Sequence, residues 1–217
     1  MAALDVNGPA DAPSDWNTIA WRHHESNVRR LRQKIFKTTR AQDYKTVRNP
    51  QKMMPRSRSN TLVNVRQVTQ RNTGRYTTEV DEKIALTSPT RMRLAEKLHR
   101  HAQPRKPRPV KRVYIPKTNE KSRELGIPVI TDHAQQAQVR NALEPEREAR
   151  LEPRSYRFKP GRSRHDTIKM IFTTPRGRKT RRLWILDADL AGTFDHIDHD
   201  QLHATIELFP TRDIIRR

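Results

Sequence analysis

Apolar residues recur three and four positions apart over the first half of the chain, the spacing that lines one face of a helix. From Asp15 onward Val28, Leu31 and Ile35 share such a face, with Trp16 and Trp21 near its start. The stretch from Asp43 to Gln70 is also helical in composition but contains Pro50 and Pro55. A proline inside a helix removes a hydrogen bond and clashes with the preceding turn, at ~3 kcal/mol. Two or three short helices are therefore expected, with Asn60–Thr69 the firmest piece. Arg71-Asn-Thr-Gly74 reads as a turn. Ser88-Pro89 fits an N-cap followed by proline at the first helical position, opening a helix to about Arg100 with Met92, Ala95 and Leu98 on one side.

The pattern then changes. Gln103-Pro-Arg-Lys-Pro-Arg-Pro109 cannot hold a helix and is expected to be extended. Val113-Tyr-Ile115 and Leu125-Gly-Ile127 flank Lys117–Lys121 as a β-hairpin would. Helical pattern returns at about 132–143 and 146–151, divided at Pro145. Ser163-Arg-His-Asp166 has capping-box spacing and opens a helix to Phe172. Pro175–Arg182 reads as a basic turn, Leu183-Trp-Ile-Leu186 as a buried strand running into Asp187-Ala-Asp189, and helices follow at about 200–208 and from Thr211. Residues 1–14, small, proline-containing and acidic, read as a disordered tail.

Composition narrows the class. The 217 residues carry 45 Lys+Arg against 24 Asp+Glu, a formal net charge of +21, and only 33% are hydrophobic. One sealed core holding the whole chain is not expected. Cysteine is absent, which removes disulfides, thiolate nucleophiles and Cys-ligated zinc. No apolar run approaches the ~18 residues of a membrane span, and the first fifteen residues lack the order of a signal peptide. A soluble, cytoplasmic protein without a membrane partner is expected. So large a positive charge calls for a polyanion, RNA or DNA. Twelve basic and two acidic residues lie between Arg91 and Arg123, the densest positive stretch.

Three segments could carry chemistry. In Trp184–His199 an apolar strand ends in carboxylates, the way polymerases and nucleases hold Mg²⁺, and on a strand Asp187 and Asp189 would share a face. Acidic residues that merely cap the following turn fit the bare pattern equally well. A calcium loop from Asp187, Asp189 and Gly192 lacks the usual ligands at Ala191 and Asp198, and a zinc site from His196, His199 and His203 is short of a fourth ligand. The second segment is Tyr114-Ile-Pro-Lys117 with Arg123, two cations across a hairpin that could clamp a triphosphate or a backbone, or could simply be solvated. The third, Ser155–Ser163, is a basic bent loop before a helix N-terminus that could receive a phosphate, or a loop whose aromatics plug a core.

Taken together and in this order, Arg58–Thr69, Val113–Lys117, Arg123–Pro128, Ala142–Pro145, Ser155–Ser163 and Leu186–Asp195 resemble the N-terminal part of a bacterial group II intron-encoded reverse transcriptase/maturase. The resemblance implies an α+β chain: a disordered tail (1–14), a mostly helical N-terminal extension (15–102), fingers with a short β-hairpin (103–182), and the start of an incomplete, truncated palm (183–217). It implies Asp189 as first catalytic carboxylate and Mg²⁺ ligand, with the Leu190 backbone carbonyl as a further ligand. Phe194 would be the gate against the ribose 2′-hydroxyl, and Lys117 with Arg123 would grip the incoming nucleotide. Arg105, Lys106, Arg108, Lys111, Arg112 and Arg162 would meet RNA, either intron or template, with DNA a further partner. The chain departs from the family pattern at Glu124, Arg157, Pro50, Pro55 and Glu79-Val-Asp81, and contains no Tyr-Ala-Asp-Asp-like segment.

One acidic ligand does not hold two Mg²⁺ ions, because Mg²⁺ gives up its water reluctantly. The expectation is thus an RNA-binding fragment inactive by itself. The alternatives are half of a split enzyme completed by a separate palm–thumb chain, a non-enzymatic RNA-binding module, and a decayed remnant.

Overall fold

Helix formation begins after a short 3₁₀ turn, Trp16–Thr18, whose N-cap Asp15 accepts from the Asn17 amide. The computed structural model describes residues 15–73, 85, 87–100, 108–116, 122–156, 159–174, 186–188, 196–206 and 209–210. In chain order these form α1 (Trp21–Arg40), α2 (Tyr44–Arg56), α3 (Arg58–Arg66), α4 (Ser88–Arg100), β1 (Lys111–Pro116), β2 (Ser122–Ile127), α5 (Ile130–Arg150), α6 (Arg164–Thr173) and α7 (His199–Thr205). A single π-helical turn, Gln67–Arg71, continues α3. The mostly helical architecture with one antiparallel strand pair agrees with the α+β expectation. The tail 1–14, the run 101–107, residues 183–185 and the helix expected from Thr211 lie outside the described residues.

Prolines are where sequence pattern and structure part. α2 runs unbroken through Pro50 and Pro55, and α5 through Pro145, where two helices were expected. All three prolines are buried, so tertiary packing offsets the lost backbone bonds. The real break between α2 and α3 is Ser57. Its backbone is extended and its side chain accepts from the Asn60 amide (3.4 Å), an N-cap at the start of α3. At α4 the cap moves one residue upstream of the expected Ser88. The Thr87 carbonyl accepts the first helical bond from Arg91, and the Thr87 amide donates back to Thr90 Oγ1 (3.1 Å). The capping box before α6 forms as expected, with the Ser163 amide donating to Asp166 Oδ2 (2.7 Å).

The described residues fall into two compact units, one from residues 1–149 with 208–217, the other from residues 150–207. The first holds an apolar core of Trp16, Ile19, Leu62, Val65, Val68, Met92, Leu94, Ala95, Leu98 and Ala134, with Trp21 and Ile130 packed on it. Trp16 and Trp21 meet with ring centroids 4.8 Å apart, and the Arg66 guanidinium lies 4.4 Å above the Trp21 ring. Of the expected α1 face, Val28 and Ile35 are buried and Leu31 half-buried.

A second, polar core joins α1, α3 and α5. Asn60, fully buried, donates from Nδ2 to the carbonyls of Met54 (2.9 Å) and Gln138 (3.3 Å). Its Oδ1 accepts from Asn64 Nδ2 and Asn141 Nδ2, both at 2.8 Å. Asn141 in turn accepts from Arg32 Nη1 (2.7 Å), and Arg32 Nη2 pairs with Glu144 (2.6 Å). Gln138 Nε2 donates to Thr61 Oγ1 (2.8 Å). Every amide in this chain of bonds has a partner, the condition under which a buried polar cluster specifies an arrangement instead of weakening it.

The second unit is packed differently. Neither α6 nor α7 buries a side chain among its described residues, and Ile168, Ile171 and Phe172 stand exposed three and four positions apart on α6. Leu186, expected in a buried strand, is 90% exposed.

Candidate nucleic-acid interface

The hairpin forms where it was expected. β1 and β2 pair antiparallel, with Val113 opposite Leu125, Tyr114 opposite Glu124 and Ile115 opposite Arg123. Alternation places Val113, Ile115, Leu125 and Ile127 on one face and Arg112, Tyr114 and Glu124 on the other. Both faces stay largely open: Tyr114, Ile115 and Leu125 are exposed, while Val113 and Ile127 are half-buried. A lone two-stranded hairpin is marginal in water, so its position depends on the anchor at its base. There the Arg108 amide donates to Asp132 Oδ2 (2.9 Å), tying the strand entry to the first turn of α5. Gly126 packs closely here, since a Cβ there would stand 3.2 Å from Val110 Cγ2 and push that exposed side chain aside by a few tenths of an ångström. The polar core that pins α5 to α3 therefore positions the hairpin through α5.

Arg108, Lys111, Arg112 and Arg123 all lie on the exposed hairpin or its entry. Arg112 and Glu124 pair diagonally across the strands at 3.6 Å, a solvent-exposed pair worth little. Arg123 sits one register step from the Pro116–Ser122 end of the hairpin, where Lys117 follows β1 in sequence. Lys117, Arg105 and Lys106 lie outside the described residues, as do Asp189, Leu190 and Phe194. The structure thus gathers four of the expected cations on one projecting element and leaves the expected metal segment undescribed, apart from exposed Asp187 beside it. Among the described residues no three His, Asp or Glu side chains converge as a metal site, His196, His199 and His203 included.

Arg162 has a local task in the second unit. Its Nη1 donates to the carbonyls of Pro153 and Ser155, and its guanidinium lies 5.6 Å from the Tyr156 ring centroid. Lys159 Nζ likewise donates to the Glu152 carbonyl (2.8 Å). Gly161, with φ of 71°, supplies the left-handed turn that brings the loop back. Basic loop residues that sequence reasoning offered to phosphate are here partly spent on backbone carbonyls.

Residues 16–98 match the N-terminal domain of reverse transcriptase, and residues 115–217 match the reverse transcriptase (RNA-dependent DNA polymerase) family. The chain belongs to the reverse transcriptases. It corresponds to the N-terminal part of a group II intron-encoded reverse transcriptase/maturase. Group II intron-encoded protein LtrA of Lactococcus lactis subsp. cremoris is 42% identical over 103 residues, 47% of this chain and 16% of that protein. Protein YkfC of Escherichia coli (strain K12) is 41% identical over 95 residues, 43% of this chain and 25% of that protein. An uncharacterized 91 kDa protein in the cob intron of Schizosaccharomyces pombe is 34% identical over 98 residues, 45% of this chain and 12% of that protein. The chain thus spans a quarter or less of the curated relatives it matches. No helix among the described residues is long and apolar enough to cross a membrane.

What sequence reasoning missed is the polar core. Its signal was present as Asn60 and Asn64 four apart between apolar residues, with Gln138 and Asn141 three apart, but a search for apolar periodicity passes over buried amides.

Proposed function

We propose that this reverse transcriptase segment binds RNA, intron or template, through its hairpin and the basic run before it, and does not copy nucleic acid by itself. The observation that carries the reading is the projecting hairpin, with Arg108, Lys111, Arg112 and Arg123 at the surface of a chain of net charge +21. Arg105, Lys106 and Lys117 extend the same strip in sequence, and Arg162 offers its remaining guanidinium edge from a stiffened loop. DNA is a second polyanion the strip would accept. The functional boundaries follow the expected division into 15–102, 103–182 and 183–217.

The catalytic roles belong to the same reading. Asp189 is the first carboxylate, Leu190 offers its carbonyl, Phe194 gates the sugar, and Lys117 with Arg123 grips the triphosphate. Mg²⁺ would supply charge neutralisation at the transferring phosphate, but the donor set of these 217 residues does not fit two such ions. Asp187 and Asp189 are the carboxylates of that sequence segment, and no Tyr-Ala-Asp-Asp-like segment accompanies them.

The salt dependence of RNA binding tests the interface. Each phosphate neutralised on a single strand contributes a slope of ~−0.7 in log K against log salt, so Arg105, Lys106, Arg108, Lys111, Arg112, Lys117 and Arg123 give about −5. Engagement of the whole net charge would give about −15, and a slope near zero refutes phosphate contacts. Primer extension on an RNA template with Mg²⁺ and deoxynucleotides should stay at background. Incorporation abolished by Asp189→Ala would overturn the inactivity.

A second reading, a split enzyme, is favoured by the second unit. Exposed Ile168, Ile171 and Phe172, and helices that bury no side chains of their own, suit a surface awaiting a palm–thumb polypeptide. Restored primer extension on mixing with such a chain would support it.

A further inference from the structure

Between α3 and α4, in the first unit and apart from the hairpin, lies a partly enclosed cavity of about 230 Å³. Buried Leu62, Met92 and Ala95 provide its apolar lining, Arg58, His99 and Arg100 its basic lining, and Thr61 and Glu96 complete the wall. Arg58 has no carboxylate partner among the described residues. Arg100 pairs with Glu96, one turn before it on α4, at 3.8 Å, a solvent-exposed pair worth little. His99 has a shielded Nδ1 without a hydrogen-bond partner. An unmet lone pair there is less costly than an unmet N–H, so the ring rests neutral with its proton on Nε2. Burial first, and the Arg58 charge second, hold its pKa below the ordinary 6.5.

Arg58 without a carboxylate partner among the described residues, and Arg100 in a loose, exposed pair that a phosphate can outcompete, stand beside an apolar wall. Together they define a ligand that is anionic at one end and apolar at the other. A simple anion would leave Leu62, Met92 and Ala95 uncovered, and an apolar ligand would leave Arg58 and Arg100 unmet. We propose that this cavity accepts one unstacked nucleotide, its base against Leu62, Met92 and Ala95 and its phosphate on Arg58 and Arg100. The proposal rests on the RNA-binding reading for its biological source, a nucleotide within a strand. A free mononucleotide carries the same chemistry.

Ring resonances of the full chain labelled with ¹⁵N-histidine test this, with His99 identified from the spectrum of the His99→Gln variant. Adenosine 5′-monophosphate should shift the His99 ring saturably, while adenosine and inorganic phosphate should each need about tenfold more ligand, since each lacks one half of the contacts. Arg58→Gln should weaken the mononucleotide by about tenfold, and Arg58→Lys by less. Displacement of the mononucleotide by a single-stranded RNA dodecamer assigns the site to a strand, and failure to displace assigns it to free nucleotide; both uphold the cavity as a nucleotide site. A His99 ring unmoved by the mononucleotide at millimolar concentration, or moved equally by phosphate alone, overturns the proposal whatever the variants do. RNA binding with a steep salt slope but a silent His99 would sink the cavity alone. A responsive His99 in a chain indifferent to RNA would sink the hairpin reading alone.

Discussion

Replacing Asn60 with leucine tests whether the polar core fixes α5, and with it the hairpin. The substitution keeps the number and branching of the side-chain heavy atoms, with bulkier methyl ends, so it removes polarity without opening a void. Four side-chain bonds vanish: to the carbonyls of Met54 and Gln138, and from the amides of Asn64 and Asn141. At ~0.5–1.5 kcal/mol net each, the simple sum is ~2–6 kcal/mol. Two partners have a fallback, since Asn64 Nδ2 also donates to the Asn60 carbonyl (2.7 Å), and Asn141 Nδ2 reaches Asn64 Oδ1 (3.2 Å). Met54 O also keeps the Ser57 amide (3.2 Å). The lower half of the range is therefore expected, ~2–4 kcal/mol, a melting shift of about 10 °C for a unit of this size. Urea unfolding with an unchanged m-value reads the same quantity. A cycle with Asn141→Leu should be non-additive, because the two side chains share a bond. A neutral or stabilising Asn60→Leu would show that the amides merely fill space, and the hairpin's position would need another cause.

Other consequences follow from single residues. His24, His99 and His133 are held below the ordinary 6.5, in each case by burial first, then by His23 and Arg58 at His24, Arg58 at His99 and Arg140 at His133. The unfolded chain therefore takes up protons that the folded one refuses; this stability is complete above pH ~6.5 and falls as pH drops through the folded values. A urea midpoint that stays level between pH 7.5 and 5 would contradict it. Gln42, with φ of 59° in the turn after α1, should give way to glycine with a gain of ~0.5–1 kcal/mol by chemical denaturation. Gly161→Ala should instead destabilise the second unit's loop by ~1 kcal/mol, visible as faster proteolysis between Glu152 and Ser163 and not as a change in the first unit's melting. Arg123→Ala should cut RNA affinity and reduce the salt slope by about 0.7; an unchanged slope would remove Arg123 from the interface.

The features that local chemistry dictates could be read from the chain. β-prone runs around Lys117–Lys121 gave the hairpin, Ser163 and Asp166 gave the start of α6, and the spacing of Val28, Leu31 and Ile35 gave the α1 face. Features that depend on what lies across the fold could not be read this way. Pro50 and Pro145 break a helix in isolation, yet here each is buried within one, a balance set by packing partners distant in sequence. Asn60, Asn64, Gln138 and Asn141 look solvated one at a time; only α3 meeting α5 turns them into a satisfied cluster. Arg162 shows the same limit at the candidate site: its charge suggested phosphate, whereas its reach to the Pro153 and Ser155 carbonyls depends on a turn at Gly161.

The two units differ in what they ask of their surroundings, and on the proposed reading this separates RNA binding from catalysis. The first has an apolar core sealed by Trp16 and Trp21 and a satisfied polar core, so the hairpin it carries is positioned by contacts within that unit. In the second, α6 turns Ile168, Ile171 and Phe172 outward and α7 leaves Leu202 half exposed. At ~25 cal/mol per Å² of apolar surface, covering three such side chains is worth several kcal/mol, comparable to a small domain's whole stability. Polyanion binding can thus reside in the first unit by itself. Positioning of the segment around Asp187, which belongs to the second, should depend on whatever covers that face. RNA affinity and polymerising competence should then separate: a change confined to the second unit, such as Gly161→Ala, should leave the first largely intact.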